Sequence, residues 1–345
     1  MRKMLLALVA AVAAAALAPA PRAAAADKVR FVQSSWGFLF VPAMVAKELG
    51  HFGEQGVEAE FTVGLGGAEA LAATVAGNAE IYVGAPSSAL RSREKGTDAI
   101  VFGASITQYA SNVVVSKERA AQFGVTEASP FEDKLKVLKG GNFGVVGFGS
   151  GTHQLLLFLA RKAGLDAARD MTFVNVTTGE AALAAFGRRR IDGFSFSSPT
   201  SDIAVRDHDG IMLFHTTKGE VKDLDGFLYI GLIAREAWLK EKPDLARRVL
   251  KGVQAALDDL NDPQRTQTAR DAIHAKYHPK VEKAFFDQLW ADTIPAWPRT
   301  VAVTPEMATR VVDFLNQFST TPYDTKLART GFDFELAQAA AKPGR

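Results

Sequence analysis

Six short turns carry the residues of this chain best suited to chemistry. They are Ser34-Ser35-Trp36-Gly37, Gly64-Leu65-Gly66-Gly67, Ala85-Pro86-Ser87-Ser88, Gly149-Ser150-Gly151-Thr152-His153, Thr177-Thr178-Gly179-Glu180 and Ser197-Ser198-Pro199-Thr200. Each follows an apolar, strand-like run and precedes a helix-like one. A helix start presents free backbone N–H groups and a partial positive charge, so several starts converging on one cleft favour an anion. Glycine lets the backbone come close, and Ser and Thr hydroxyls add donors. Any one turn is read most simply as a helix cap, and Thr177 with Glu180 fits a capping box that uses Thr177 locally. The full set, three turns in each half, points to a binding site instead. The candidate ligand contacts are Ser35, Trp36, Gly66, Gly67, Ser87, Ser88, Ser150, Gly151, Thr152, Thr178, Gly179 and Ser197. Trp36 either stacks on the ligand or packs under its own loop. Whether His153 or Tyr109 reaches the ligand is a question the sequence hands to the structure.

Catalytic and metal chemistry is poorly supplied. Gly147-Phe148-Gly149-Ser150-Gly151 lacks the final glycine spacing of a dinucleotide loop and is followed by no Lys, as a phosphate-binding loop requires. Gly193-Phe194-Ser195-Phe196-Ser197 misses the last glycine of a nucleophile elbow. His274 and His278 stand four apart, but Ala275 replaces the glutamate of a zinc-protease helix, so a solvated helix end is expected rather than a metal. The turns offer only His153, Glu69 and Glu180 as titratable groups. No catalytic residue, cofactor or metal site is therefore assigned.

The turns must be positioned by strands and helices, and one such unit is used twice. Gly67 to Glu80 aligns without a gap on Gly179 to Asp192, with Ala70-Leu71-Ala72-Ala73 falling on Ala182-Leu183-Ala184-Ala185. Each copy runs from a Gly turn through an Ala-rich helix to a short apolar strand and a small-residue turn. Two like units imply two like lobes with a site between them. Around them the chain alternates strand and helix from Val29 to Gly103 and again from Phe143 to His215, the signature of open, mostly parallel sheets. An α/β, two-lobed architecture is expected, with lobe one at 27–116, lobe two at 117–212, and the remainder, 213–345, returning to lobe one with C-terminal helices. Two crossover strands would permit hinge bending.

The amino end is separate. Arg2-Lys3, an apolar run from Met4 to Leu17 and small residues to Ala26 read as a signal peptide over 1–26. The leader carries Arg2, Lys3 and Arg22 and no acid, so its removal takes the net charge from +2 to −1 and leaves no case for nucleic-acid binding. Arg188-Arg189-Arg190 is read as a solvated helix end. Cysteine is absent, which removes both disulfides and a lipid-anchoring thiol. A soluble, exported, periplasmic monomer is expected.

Val29–Trp36, Pro42–Gly53 and Gly66–Ser88, with Gly77-Asn78-Ala79-Glu80-Ile81, resemble the periplasmic substrate-binding proteins of ABC importers for sulfonates, taurine, nitrate and pyrimidine precursors of thiamine. The resemblance covers most of the mature chain, is strongest in lobe one and rests on no single diagnostic motif. It implies a type II-like periplasmic binding protein fold. It also implies a small organic anion or heterocycle held between the lobes, and a permease partner in the inner membrane. One relative is an enzyme of pyrimidine synthesis that depends on a Cys-rich motif, which this chain lacks. The alternatives are an exported α/β hydrolase or lyase and, more weakly, a sensor subunit of a membrane kinase.

Overall fold

A computed structural model describes residues 25–63 and 66–341. The expected leader therefore lies outside the described residues, apart from its last two positions. From the amino end run β1 (Asp27–Gln33), α1 (Val41–Glu48), α2 (His51–Glu54), β2 (Val57–Val63), α3 (Gly67–Val75), β3 (Ile81–Gly84), α4 (Pro86–Glu94) and β4 (Ala99–Ile106). Then come β5 (Asn112–Ser116), α5 (Lys117–Gln122), α6 (Phe131–Lys136), β6 (Asn142–Val145), α7 (Gly151–Lys162), α8 (Ala167–Asp170) and β7 (Thr172–Asn175). They are followed by α9 (Gly179–Gly187), β8 (Gly193–Phe196), α10 (Thr200–Asp207) and β9 (Gly210–Phe214). The chain ends with β10 (Ile230–Arg235), α11 (Glu236–Glu241), α12 (Pro243–Leu260), α13 (Arg265–Tyr277), α14 (Lys283–Thr293), α15 (Pro305–Asn316), α16 (Leu327–Thr330) and α17 (Phe334–Ala341).

The strands form two five-stranded sheets, ordered β2-β1-β3-β10-β4 and β7-β6-β8-β5-β9. The two orders are one pattern. In each sheet the first three strands are parallel, and the fourth, β10 or β5, is antiparallel to both neighbours. The duplicated units, α3–β3 and α9–β8, take equivalent places. β4 reads as a nearly continuous apolar run and is buried along its whole length, as a strand covered on both faces must be. β2 alternates because it is an edge with one solvated face.

The sequence reading ended lobe one at Ser116. The structure places Asn112–Ser116 in the second sheet, between β8 and β9. The reason is that Val113-Val114-Val115 is apolar on both faces and fits the centre of either sheet; only its partners decide, and those, Gly193–Phe196 and Gly210–Phe214, follow far along the chain. The backbone thus passes between sheets over 107–111 and 215–229.

The C-terminal helices pack on the first sheet's side. α12 lies against α1, α2 and α17, and α17 against β4. Its buried positions, among them Leu245, Val249, Val253, Ala256 and Leu260, recur every three or four residues. Phe38 meets Phe286 and Trp290 edge-on at 5.1 and 5.7 Å, tying the loop after β1 to α14. Such fully buried side chains contribute about 1.5–3 kcal/mol each. No described helix is long and apolar enough to cross a membrane.

Candidate ligand-binding cleft

The turns at the strand ends meet where the two halves touch. After β1, Gln33 Nε2 donates to the Ser35 carbonyl at 2.8 Å, and Ser35 Oγ accepts from Gly37 N at 3.1 Å. That folds the loop so that Phe38 N donates to the Ser198 carbonyl at 3.0 Å, across to the turn after β8. A Cβ on Gly37 would lie 2.7 Å from Ser197 Oγ, so the two turns are in contact. Ser197 is 2% exposed and its hydroxyl has no partner among the described residues.

A second bridge joins α4 to the turn before α7. The Gly149 carbonyl accepts from Ser88 Oγ at 3.1 Å and Arg91 Nη1 at 3.1 Å, both across the junction, and from Gln154 Nε2 at 2.8 Å within its own half. Gly149 has φ +78°, the left-handed region that glycine enters without strain. Ser150 caps α7 by accepting from His153 N at 3.4 Å, and it bonds Thr152 Oγ1 at 2.9 Å. Thr152 Oγ1 also accepts from Val146 N at 3.0 Å.

Behind these bridges lies a cavity of about 40 Å³, room for about three waters. The first half lines it with Ser34, Gly67 and Tyr82, the second with Ser150 and Thr152, and Tyr229 closes it from the second passage between sheets. No charged side chain is among its lining residues. The Tyr82 ring folds back over Gly84, where a Cβ would collide with it, and its hydroxyl would sit 3.0 Å from a Cβ on Gly67. Tyr229 stacks on Tyr109 at 3.9 Å and bonds Ser111 Oγ at 2.6 Å, while Tyr109 donates to the Gly151 carbonyl at 2.6 Å. Burial pushes the Tyr82 phenol up to about 12 and raises Tyr109 and Tyr229 as well, so all three stay protonated donors.

Of the expected contacts, Gly67, Ser150, Gly151 and Thr152 line this cavity. Gly66 stands beside it, its N–H given to Glu69 Oε2 at 2.6 Å. Ser87 is buried at the start of α4, and Ser88 is committed to Gly149. Ser35 and Ser197 form the neighbouring turn contact. Thr178 caps α9, accepting from Ala181 N at 3.2 Å, and Gly179 packs on Thr200 within its own half. The cap is thus Thr178, one residue later than the capping box read from Thr177. Trp36 packs against Tyr277 with ring centroids 4.5 Å apart and planes tilted by 31°, and its carbonyl accepts from His278 Nε2 at 2.9 Å. His274 Nε2 is likewise taken by the Val281 carbonyl at 2.8 Å. Ser34 belongs to a turn that the sequence singled out but not to the candidate contacts, whereas Tyr82 and Tyr229 were missed altogether. Tyr82 and Tyr229 look like strand core, and only the Tyr-x-Gly spacing of Tyr82 and Gly84 hinted that a ring turns back.

His153 proves to be part of the turn's framework: its Nδ1 accepts from Gly149 N at 3.0 Å. Burial first, and the nearby Arg91 guanidinium second, lower its imidazole to about 4. The folded chain therefore binds fewer protons at this site than the unfolded one, and its contribution is lost as pH falls from about 6.5 toward 4. Denaturant titrations should show the wild type losing on the order of 3 kcal/mol more than His153→Gln over that window. Equal losses would remove His153 from the turn's support.

The architecture has known counterparts. A protein of Bordetella bronchiseptica RB50 superposes with a TM-score of 0.78 at 20% identity, over 91% of this chain and 96% of its own. The alkanesulfonate-binding protein SsuA of Xanthomonas axonopodis pv. citri, bound to MOPS, gives 0.68 at 16%, over 92% and 99%. The periplasmic nitrate-binding protein NrtA of Synechocystis PCC 6803 gives 0.70 at 13%, over 91% and 88%. The fold is that of the periplasmic binding proteins. A comparison with curated proteins finds no match. A model of the NMT1-like family matches residues 38–275, well over half of the sequence, and the chain belongs to that family.

Proposed function

We propose that this chain is the solute-binding component of an ABC importer. It captures a small organic anion or heterocycle, such as a sulfonate, a carboxylate or a pyrimidine-like ring, between two lobes and delivers it to an inner-membrane permease. The lobes are the two sheets with their helices, hinged at 107–111 and 215–229. The leader exports the chain to the periplasm, where it acts as a monomer. One observation carries this reading: the 40 Å³ cavity is built from both halves, with the starts of α3 and α7 facing each other across it. Its donors are neutral hydroxyls and helix-start amides, which suit a compact polar group. The contacts at Ser198 and Gly149 form only when the halves meet, so a ligand that bridges them shifts the population toward closure.

The enzyme reading is less well supported. Glu69 and His153 are spent on backbone amides. Buried Asp202 and half-buried His215 are neighbours, but Ser201 Oγ donates to the carboxylate at 2.9 Å rather than to the imidazole, so this pair activates no nucleophile.

A thermal-shift screen with nitrate, taurine, MOPS, benzoate and aminopyrimidines tests the proposal. A ligand at a hundred times its Kd adds about 2.7 kcal/mol of stability. At least one compound should raise the melting temperature by several degrees, reduce the radius of gyration and be recovered unchanged. A flat screen with unchanged scattering, or turnover of the bound compound, would refute it.

A further inference from the structure

A larger groove, of about 360 Å³, runs along the outside of the first half between α3 and α4. Its apolar wall comes from α3, with Leu71, Ala72 and Val75. Its opposite wall carries Arg91 and, just beyond α4, Lys95. Its end is closed by Phe148 from the second half. Phe148 is 61% exposed, yet it is not loosely placed. The next residue is the Gly149 whose carbonyl takes three donors, and the Phe148 ring stands edge-on to His153 at 5.6 Å.

The charges on this wall are unusual. Arg93, also on α4 but outside the groove, is paired with Glu236 at 2.6 Å. Arg91 and Lys95, which line the groove, make no ion pair among the described residues. Arg91 gives one N–H to Gly149 and keeps the rest of its fork, which suits the paired oxygens of a carboxylate or sulfonate. A cavity of this size, mostly apolar with a few convergent polar groups, has the makeup of a small-molecule site.

We propose that this groove is a second binding site, for an organic acid with an apolar body. The carboxylate or sulfonate lies on Arg91 and Lys95, and the body lies between α3 and the Phe148 ring. Because Phe148 and Gly149 come from the other half, an occupant touches both halves and holds them together. The site is separate from the central cavity and stands whether or not that cavity binds solute.

The test is a titration of the isotope-labelled full chain with 1-naphthalenesulfonate, followed by amide chemical shifts, with inorganic sulfate as the control. Saturable shifts are expected at Ala72, Ala76, Thr97 and Gly149, and not with sulfate. Ala72→Asp, which sets a carboxylate against the wall, should weaken binding at least tenfold. Lys95→Gln, an exposed change that leaves packing intact, should weaken it about threefold. Three results overturn the proposal: shifts confined to the central amides of Gly67, Ser150 and Gly151; affinity that neither variant alters; or groove shifts that appear on concentrating the protein without probe, which would mark a contact between copies. The central amides report separately on the transport reading.

Discussion

Replacing Gly151 by alanine is expected to weaken solute binding by about 5- to 100-fold while leaving the unliganded fold intact. A Cβ at this position would lie 2.6 Å from a ring carbon of Tyr229 and 2.8 Å from its hydroxyl. The ring has nowhere to go, being stacked on Tyr109 and bonded to Ser111. Overpacking of this kind costs about 1–3 kcal/mol, and each 1.4 kcal/mol is a factor of about ten in affinity. Gly151 starts α7 in the second half, whereas Tyr229 leads into β10 of the first. On the proposed hinge motion the clash exists only in the closed form. Alanine also favours a helix over glycine by about 0.5–1 kcal/mol, which offsets any loss in the open form. Calorimetric titration with the strongest solute from the screen, beside a melting curve without solute, separates the two effects. Binding within twofold of wild type would mean that the halves do not close on this contact.

Much of the fold was legible because its elements are written in short-range patterns. Val57-Glu58-Ala59-Glu60-Phe61-Thr62-Val63 alternates and is β2 along its full length, since one face is solvated. The gapless match of Gly67–Glu80 to Gly179–Asp192 identified two equivalent units, and the matching strand orders explain why such a match exists. What local pattern does not encode is partnership. β5 was assigned to the wrong sheet because its apolar residues satisfy either core, and its neighbours β8 and β9 follow long after it.

The site was legible to a smaller degree for a related reason. Small residues at helix starts are visible in sequence, and Gly67, Ser150, Gly151 and Thr152 do meet at the cavity. Other turns with the same composition serve a different end: Ser88 and Ser197 lie where the halves touch, and Thr178 is a cap. Composition does not separate a donor left for a solute from one consumed by a neighbouring carbonyl. The tyrosines were hidden because a phenol within an apolar strand reads as core, and Tyr229 is indeed buried on all but its cavity face.

Tyr229 should show the largest loss of stability on truncation. Tyr229→Ala removes a ring stacked at 3.9 Å on Tyr109 and merges its space with the 40 Å³ cavity. Truncations of buried aromatics cost about 3–5 kcal/mol, so the melting temperature should fall by roughly 10 °C. Tyr229→Phe keeps the ring but strands the fully buried Ser111 hydroxyl, whose bond to Tyr229 is 2.6 Å, at a cost of about 1–3 kcal/mol. The two variants therefore separate packing from hydrogen bonding. They also separate fold from function. If Ser111 donates to the Tyr229 oxygen, the phenolic O–H is free for the solute, and the Phe variant loses affinity beyond its loss of stability. Ser111→Ala then retains more affinity than Tyr229→Phe, because the phenol survives. Because burial keeps the phenols protonated, with Tyr82 pushed up to about 12, wild-type affinity for a permanently charged sulfonate should stay flat from about pH 6 to 9. A titration in that range would show that the phenols do not stay protonated, whereas equal affinity in Tyr229→Phe and wild type would assign the Tyr229 hydroxyl to the fold alone.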